Sequence, residues 1–348
     1  MSEIGGDYSF NTDYLHGICC NINSFLKDYN LLLFDYGRSA IKSIPYDRNK
    51  KILLPEYICE SVIACYPDSQ IEFYKICEDT TVDFDDLLAK IDEKVGTLLI
   101  AHYYGAVQSE EKLKAIIDVA HNCKITVVED VTQSIFSDTD YQGDYVVGSI
   151  RKWMMIPQGA FLVDRIGNVD VSGYEISCDN KRLEAMKLKD RFLKTGEDVK
   201  DEYRKLFAEC EDETDRQIIP KLMSKEATEI MNSIDVAEII KRRRDNYEYL
   251  LSKLDQIGIK PIVRLGQNDC PLTLPIRVEK GRDRFRKYLI DNNIFCPVHW
   301  PNDGVGLVER PMAVRNADTI ISLVIDQRYS RNDMDYMINV ISKYEGEL

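Results

Sequence analysis

Nowhere in the 348 residues does an apolar run reach the roughly 18 residues that a membrane-spanning helix needs. The opening stretch, MSEIGGDYSF, has neither the basic segment nor the apolar stretch of a secretory leader, so a cytoplasmic location is expected. CxxC pairs are missing too. The ten cysteines, Cys19, Cys20, Cys59, Cys65, Cys77, Cys123, Cys178, Cys210, Cys270 and Cys296, lack zinc-site spacing. Without a leader they are expected to be reduced thiols, mostly buried as small apolar residues. Positive charge is scarce: a formal net charge of −14 argues against a nucleic-acid partner. The one basic cluster, Lys241 to Arg244, lies in a helical stretch flanked by acids and reads as a solvated helix face. No internal repeat or low-complexity linker is present.

What is there is enough apolar residue, 44%, for one large core or two smaller ones, with 30% charged residues to solvate it. From residue 31 to about 130 short apolar runs alternate with amphipathic ones, the pattern of a parallel α/β sheet covered on both faces. Strands are expected at Leu31–Phe34, Lys51–Leu54, Ile71–Ile76, Thr97–Ala101 and Ile125–Val128. Helices are expected at Ser39–Ile44, Cys59–Cys65, Phe84–Ile91 and Glu110–Asn122, the last with an apolar stripe at Leu113, Ile116, Ile117 and Ala120. Two further strands, Tyr145–Ile150 and Ala160–Val163, flank a loop carrying Lys152, Pro157 and Gly159. Residues 178–222 read as helix and connecting loop. Ser224–Leu254 reads as one long helix, followed by a smaller α+β arrangement: strands at Ile259–Val263, Leu272–Val278, Ile294–Val298 and Thr319–Ile325, helices at Arg282–Asp291 and Arg331–Tyr344. The pattern predicts a large domain, 1–230, and a small one, 231–348.

In open α/β sheets ligands lie beyond the carboxyl ends of the strands. Three segments there could carry chemistry. In Phe34-Asp35-Tyr36-Gly37-Arg38-Ser39-Ala40, a strand meets a glycine and a helix start, and the amides of Arg38, Ser39 and Ala40 would form an anion site. In Val128-Glu129-Asp130-Val131-Thr132-Gln133-Ser134, two acids end a buried strand; they either cap the next segment or meet a ligand cation. In Gly148-Ser149-Ile150-Arg151-Lys152, a lysine lies in a loop, where the default is a solvated charge. Each segment taken alone is equally at home as ordinary structure.

Taken in order, the segments resemble the pyridoxal-5′-phosphate (PLP) dependent sugar aminotransferases of the DegT/DnrJ/StrS type, which share the aspartate-aminotransferase-like fold type I. The resemblance runs from about Leu31 to Tyr344. It rests on Asp35 to Ile41, Leu54-Pro55-Glu56-Tyr57, Ala101-His102-Tyr103-Tyr104-Gly105, Val128 to Ser134, Lys152 with Gly159 seven positions on, Ile294 to Pro301, and Ser322-Leu323. It implies a three-layer α/β/α large domain with a smaller α+β domain, PLP as cofactor, Lys152 as its Schiff-base lysine and Asp130 on the pyridine nitrogen. Gln133 would lie near the ring substituents. Gly37, Arg38, Ser39 and Ser149 would face the phosphate, and Cys59 and His102 would complete the cofactor site. Tyr104, His299, Trp300 and Arg328 are the candidates for substrate contact. Glutamate as amino donor, a keto-sugar acceptor, nucleotide-linked by default, and a homodimer are implied too.

The chain departs from that pattern at three places. Val147 stands where a serine is common, Cys59 where an aromatic residue often stacks on the ring, and no asparagine motif reaching toward a partner subunit is recognisable between 205 and 225. With Cys59, either Tyr57, Tyr103 or Tyr104 takes over the stacking or a smaller side chain packs on the ring. Two rivals remain. A PLP-dependent sugar dehydratase would carry histidine in place of Lys152. A catalytically silent binding or regulatory relative would keep the fold without the chemistry.

Overall fold

The computed structural model describes residues 3–12, 15, 22, 31–300 and 310–346. Cys19, Cys20 and Pro301 lie outside the described residues. The strands are β1 (Ile4–Gly5), β2 (Leu31–Phe34), β3 (Lys51–Pro55), β4 (Ile71–Tyr74), β5 (Val95–Ala101), β6 (Thr126–Asp130), β7 (Tyr145–Gly148), β8 (Ala160–Asp164), β9 (Leu274–Arg277), β10 (Ile294–Phe295) and β11 (Ile320–Leu323). Contacts group the chain into two compact units. One comprises Met1–Gly6, Tyr46–Asp144 and Ile240–Leu348; the other comprises Asp7–Pro45 and Tyr145–Ile239. The expected domains, 1–230 and 231–348, divide the chain by sequence, whereas these units divide it by contact.

In the first unit β6, β5, β3 and β4 pair in that order, all parallel. All seven residues of β5 are buried, which is why its sequence reads as a continuous apolar run and not as an alternation. The helix Glu110–Asn122 turns Leu113, Ile116, Ile117 and Ala120 inward, the stripe expected from its spacing. The carboxyl-terminal part of this unit builds its own core from Tyr247, Leu250 and Leu254 of the helix Val236–Gln256, Ile276 of β9, Phe285 and Leu289 of Arg282–Asp291, and Met334 and Met337 of Arg331–Ile341.

In the second unit β2, β8 and β7 pair antiparallel, with Phe34 opposite Ala160 and Gly148 opposite Phe161. The parallel arrangement expected from residue 31 onward thus does not extend to β2. Residues 178–222 supply two helices, Lys181–Thr195 and Lys200–Arg216.

Several expected elements differ. The long helix expected over 224–254 is two, Lys225–Asn232 and Val236–Gln256. Ser224 caps the first by accepting the Ala227 amide, and Asp235 accepts the Ala237 amide at the start of the second, so each has its own N-terminal acceptor. Ile259–Val263 is not a strand: Pro261 has no amide to donate, and only an isolated bridge to Ile276 forms. The expected strand Ile294–Val298 stops at Phe295. The helix Pro311–Thr319, with proline at its first position, was not anticipated. Of the described cysteines only Cys210, Cys270 and Cys296 are buried; Cys178 is exposed and the others are half-buried, all of them free thiols.

Candidate active site

Lys152 ends the 3₁₀ turn Ile150–Lys152 between β7 and β8. Its amide donates to the Ser149 carbonyl at 3.2 Å, and the Arg151 amide reaches the Gly159 carbonyl at 3.2 Å, which closes the loop. Gly159 in turn donates its own amide to the Asp35 carbonyl at 2.7 Å. The lysine loop is therefore tied to the glycine turn that follows β2. Gly159 has φ +156°, and a Cβ there would stand 2.6 Å from Ile156 Cδ1, so both backbone and space favour glycine at this position. The Lys152 residue itself is exposed. Near it, Glu211 accepts from Arg182 at 2.7 Å and from Arg151 at 3.2 Å. Burial pushes the Glu211 carboxyl up, but Arg151, Arg182 and Lys152 together hold it down at about 2.

Gly37 opens the helix Gly37–Lys42, and a Cβ on it would lie 3.6 Å from Ser149 Cβ, so the glycine turn and Ser149 are neighbours as expected. The rest of the expected anion site is spent internally. The amides of Ser39 and Ala40 donate to the Tyr36 carbonyl at 3.0 and 3.3 Å. Arg38 donates to the Thr214 carbonyl at 2.8 Å and to Asp215 at 2.6 Å, capping the end of the helix Lys200–Arg216. Ser39 Oγ accepts from Gln217 Nε2 at 3.2 Å, and the same amide donates to Asp35 Oδ2 at 2.9 Å. Gln217 was missed by sequence reasoning, and no local signal marks it. Burial raises the Asp35 carboxyl, with Ser39, Gln217 and the Tyr36 amide opposing it. Val147 is a core residue of β7 opposite Leu162.

In the other unit Asp130 ends β6 opposite Ala101 of β5, and its carbonyl accepts the His102 amide at 3.1 Å. Its carboxylate accepts the Thr132 amide at 2.9 Å; burial raises its pKa, and the Thr132 bonds and His102 partly offset this. Adjacent Glu129 points the other way, as strand neighbours must. It is 1% exposed and receives His102 Nε2 at 2.9 Å and the amides of Gln142 and Gly143. Burial works to raise the Glu129 carboxyl, yet the His102 bond and these amides hold it below the usual carboxylate range. Gln108 donates its amide to His102 Nδ1 at 3.0 Å, so that nitrogen is the acceptor and Nε2–H the donor. Both ring nitrogens of His102 are thus committed within the protein. Gln133 Oε1 accepts the Tyr104 amide at 2.7 Å, fixing a residue whose φ is +59°.

Tyr57 follows β3, and Tyr103 and Tyr104 follow β5; the three gather with His299 and Trp300. The Tyr57 ring stacks on Tyr103 at 5.5 Å and lies 5.0 Å from Trp300, and Tyr104 meets His299 edge-on at 5.9 Å. Tyr57 donates its hydroxyl to the His299 carbonyl, so Tyr104 supplies the proton of the 2.7 Å contact between the two phenols. Burial raises both phenols, Tyr57 strongly, which keeps them protonated. His299 Nδ1 lies 3.0 Å from Ser322 Oγ. Cys59 caps the short helix Glu60–Ile63 and accepts from Ser61 Oγ at 3.1 Å. Arg310, fully buried, clamps this segment by donating to the carbonyls of Glu56 and Ile58 and to the Glu60 carboxylate. Arg310 was also missed; a single arginine before a proline carries no motif.

The candidate substrate residues Tyr104, His299 and Trp300 are therefore brought together. Arg328 is not among them: it forms a two-pronged pair with Asp326 at 2.9 and 2.8 Å and donates to the Gly6 carbonyl. Its guanidinium braces Asp326 against the segment at Gly6. Among the described residues no cluster of metal-ligating side chains occurs.

No protein-family model and no curated protein matches the chain. Among solved structures it is similar to the sugar aminotransferase CalS13 from Micromonospora echinospora, with 16% identity, 93% of this chain and 90% of that one covered, and TM-score 0.62. It is also similar to Spr1654 from Streptococcus pneumoniae in its PMP form, with 15% identity, 96% and 90% covered, and TM-score 0.65. A DegT DnrJ EryC1 StrS aminotransferase from Brucella abortus matches at 13% identity, 94% and 88% covered, and TM-score 0.62. The chain thus has the mixed α/β fold of these sugar aminotransferases along nearly its whole length.

Proposed function

We propose that the chain is a PLP-dependent aminotransferase that moves an amino group from glutamate to a keto-sugar, nucleotide-linked, in cell-surface polysaccharide or amino-sugar biosynthesis. The observation that carries this is the lysine loop: the Arg151–Gly159 closure and the Gly159–Asp35 bond hold Lys152 beside the Gly37 turn and Ser149. The fold shared with known sugar aminotransferases supports it.

The residues fit the cofactor. A half-buried carboxylate whose pKa burial has raised, Asp130, gains most from a cationic ring nitrogen placed against it. Ser149, which lies against the glycine turn, would meet the phosphate. When bound, PLP supplies an electron sink for a carbanion next to nitrogen. Lys152 would hold the cofactor at rest, and once released, its neutral amine would take the donor's α-proton and deliver it to the neighbouring carbon. Asp130 would keep the pyridine nitrogen protonated in both half-reactions. Gln133 and the committed His102 would serve by fixing the loops after β6 and β5. His299 and Trp300, both half-buried, would present aromatic faces to the sugar, and the fully buried Tyr104 would back them.

The retained Lys152 speaks against the dehydratase alternative. The deciding experiment incubates the protein with PLP and glutamate: the bound cofactor's visible band should convert to the pyridoxamine form, and no conversion would defeat the aminotransferase reading. Borohydride reduction followed by peptide mapping should label Lys152; labelling elsewhere or nowhere would favour the catalytically silent alternative. A cytoplasmic homodimer belongs to the same proposal, with the exposed Ile218 and Ile219 as apolar surface for the second copy.

A further inference from the structure

At the other end of the parallel strands the molecule carries a feature that the aminotransferase site does not use. A cavity of about 600 Å³ opens where β3, β4 and β5 begin, lined by the residues that precede or start those strands. Its cations are Arg48, Lys50, Lys51, Lys90 and Lys94, against two acids, Glu72 and Asp92. In a chain with net charge −14 such a concentration of positive charge is against the trend of the surface.

Two of these cations are already used. Lys51 donates to the Ser69 carbonyl at 2.9 Å, and Lys90 to the Phe73 carbonyl at 2.6 Å and to Asp86 at 2.9 Å. Arg48, Lys50 and Lys94 form no ion pair or side-chain hydrogen bond among the described residues. Asp92 Oδ1 accepts the Lys94 amide at 2.8 Å within its own turn, and two carboxylates offset only part of the charge of five cations. Lys50 is positioned by a glycine, since a Cβ on Gly96 would stand 2.8 Å from Lys50 Cβ and 3.2 Å from its Cδ. The bare Gly96 backbone is thus a floor along which the Lys50 stem lies. Glu72, half-buried on β4, is a hydroxyl acceptor beside the three cations.

We propose that this cavity is a second binding site, for a phosphorylated, hydroxyl-bearing small molecule. One guanidinium fork and two ammonium groups match the oxygens of a phosphate or diphosphate, and Glu72 matches the hydroxyls of the body that carries it. The volume lies within the roughly 300–1,000 Å³ usual for small-molecule sites. The strands between this cavity and Asp130, Cys59 and His102 are five to seven residues long, which at about 3.3 Å per residue separates the two ends by about 17–23 Å. The site therefore holds its own ligand and does not extend the catalytic one.

The test is calorimetric titration of the full chain with inorganic pyrophosphate, after one equivalent of PLP has been loaded and unbound cofactor removed by gel filtration, so that any phosphate cradle near Lys152 is filled and the cavity is left open. Saturable binding is expected, weakened at least ten-fold in a Lys50→Ala/Lys94→Ala double variant and also weakened in Arg48→Ala. Arg48 and Lys94 are exposed and Lys50 is half-buried, and an unchanged circular dichroism spectrum and melting temperature would verify that the variants fold. Binding unaffected by the substitutions, or no saturable binding at millimolar pyrophosphate, overturns the proposal. So does tighter binding of a single-stranded RNA than of pyrophosphate, which would make the groove a nucleic-acid track. The outcome does not depend on whether the chain transaminates.

Discussion

Asp130 and Glu129 are adjacent carboxylates with opposite consequences for stability. Burial raises the Asp130 pKa, so in the window between the unfolded value and the native one the folded chain holds the proton more tightly. Stability is therefore lost as pH rises through that window, and an ionised Asp130 is a cost at neutral pH. Asp130→Asn should raise the melting temperature of the cofactor-free protein at pH 7, while slowing conversion with glutamate; a lower melting temperature would contradict this. The Glu129 pKa is depressed, so its contribution is present above the ordinary carboxylate range and lost as pH falls through the native value. Glu129→Ala would strand the His102 N–H and two backbone amides, buried donors that cost about 1–3 kcal/mol each when left unpaired, and urea unfolding at pH 7 should show the loss. Lys152→Ala should slow the glutamate half-reaction on the order of 10²–10⁴-fold with folding unchanged. The two acids were legible as an acidic strand end. Which of them faces His102 was not, because it depends on the register between β5 and β6. Arg38 shows the same limit: its partners Thr214 and Asp215 lie more than 170 residues away, and no local pattern announces them.

At the scale of elements, the loop between β7 and β8 depends on one glycine. Gly159→Ala would combine an unfavourable φ with a clash against Ile156 Cδ1, costing about 1–3 kcal/mol and loosening the closure that holds Lys152. Thermal unfolding should report the loss. The fraction of chain labelled by borohydride should fall with it, while a variant that melts lower yet labels fully would show that the loop does not position the lysine. Elements with strong periodicity were legible to within a residue or two, as in Glu110–Asn122 and Arg282–Asp291. Those that failed did so for local reasons. Pro261 removed a ladder donor, the second cap at Asp235 split an otherwise continuous helical pattern, and the antiparallel pairing of β2 with β8 joins segments that no short window contains.

At the scale of the molecule, the most exposed large apolar side chains among the described residues are Ile218 and Ile219, at 81% and 68%, on the segment whose Gln217 supports Asp35 and Ser39. Two such side chains side by side are costly to leave in water, each worth about 1.5–3 kcal/mol when fully buried. A second copy covering them would explain their retention in a chain of net charge −14, and it would press on the residue that holds the glycine turn in place. Sedimentation velocity should therefore find a dimer, and Ile218→Asp/Ile219→Asp should shift it to the monomer. If the double variant also binds PLP more weakly, the contact supports the cofactor site. If it remains a dimer, the interface lies elsewhere and these isoleucines have no part in it.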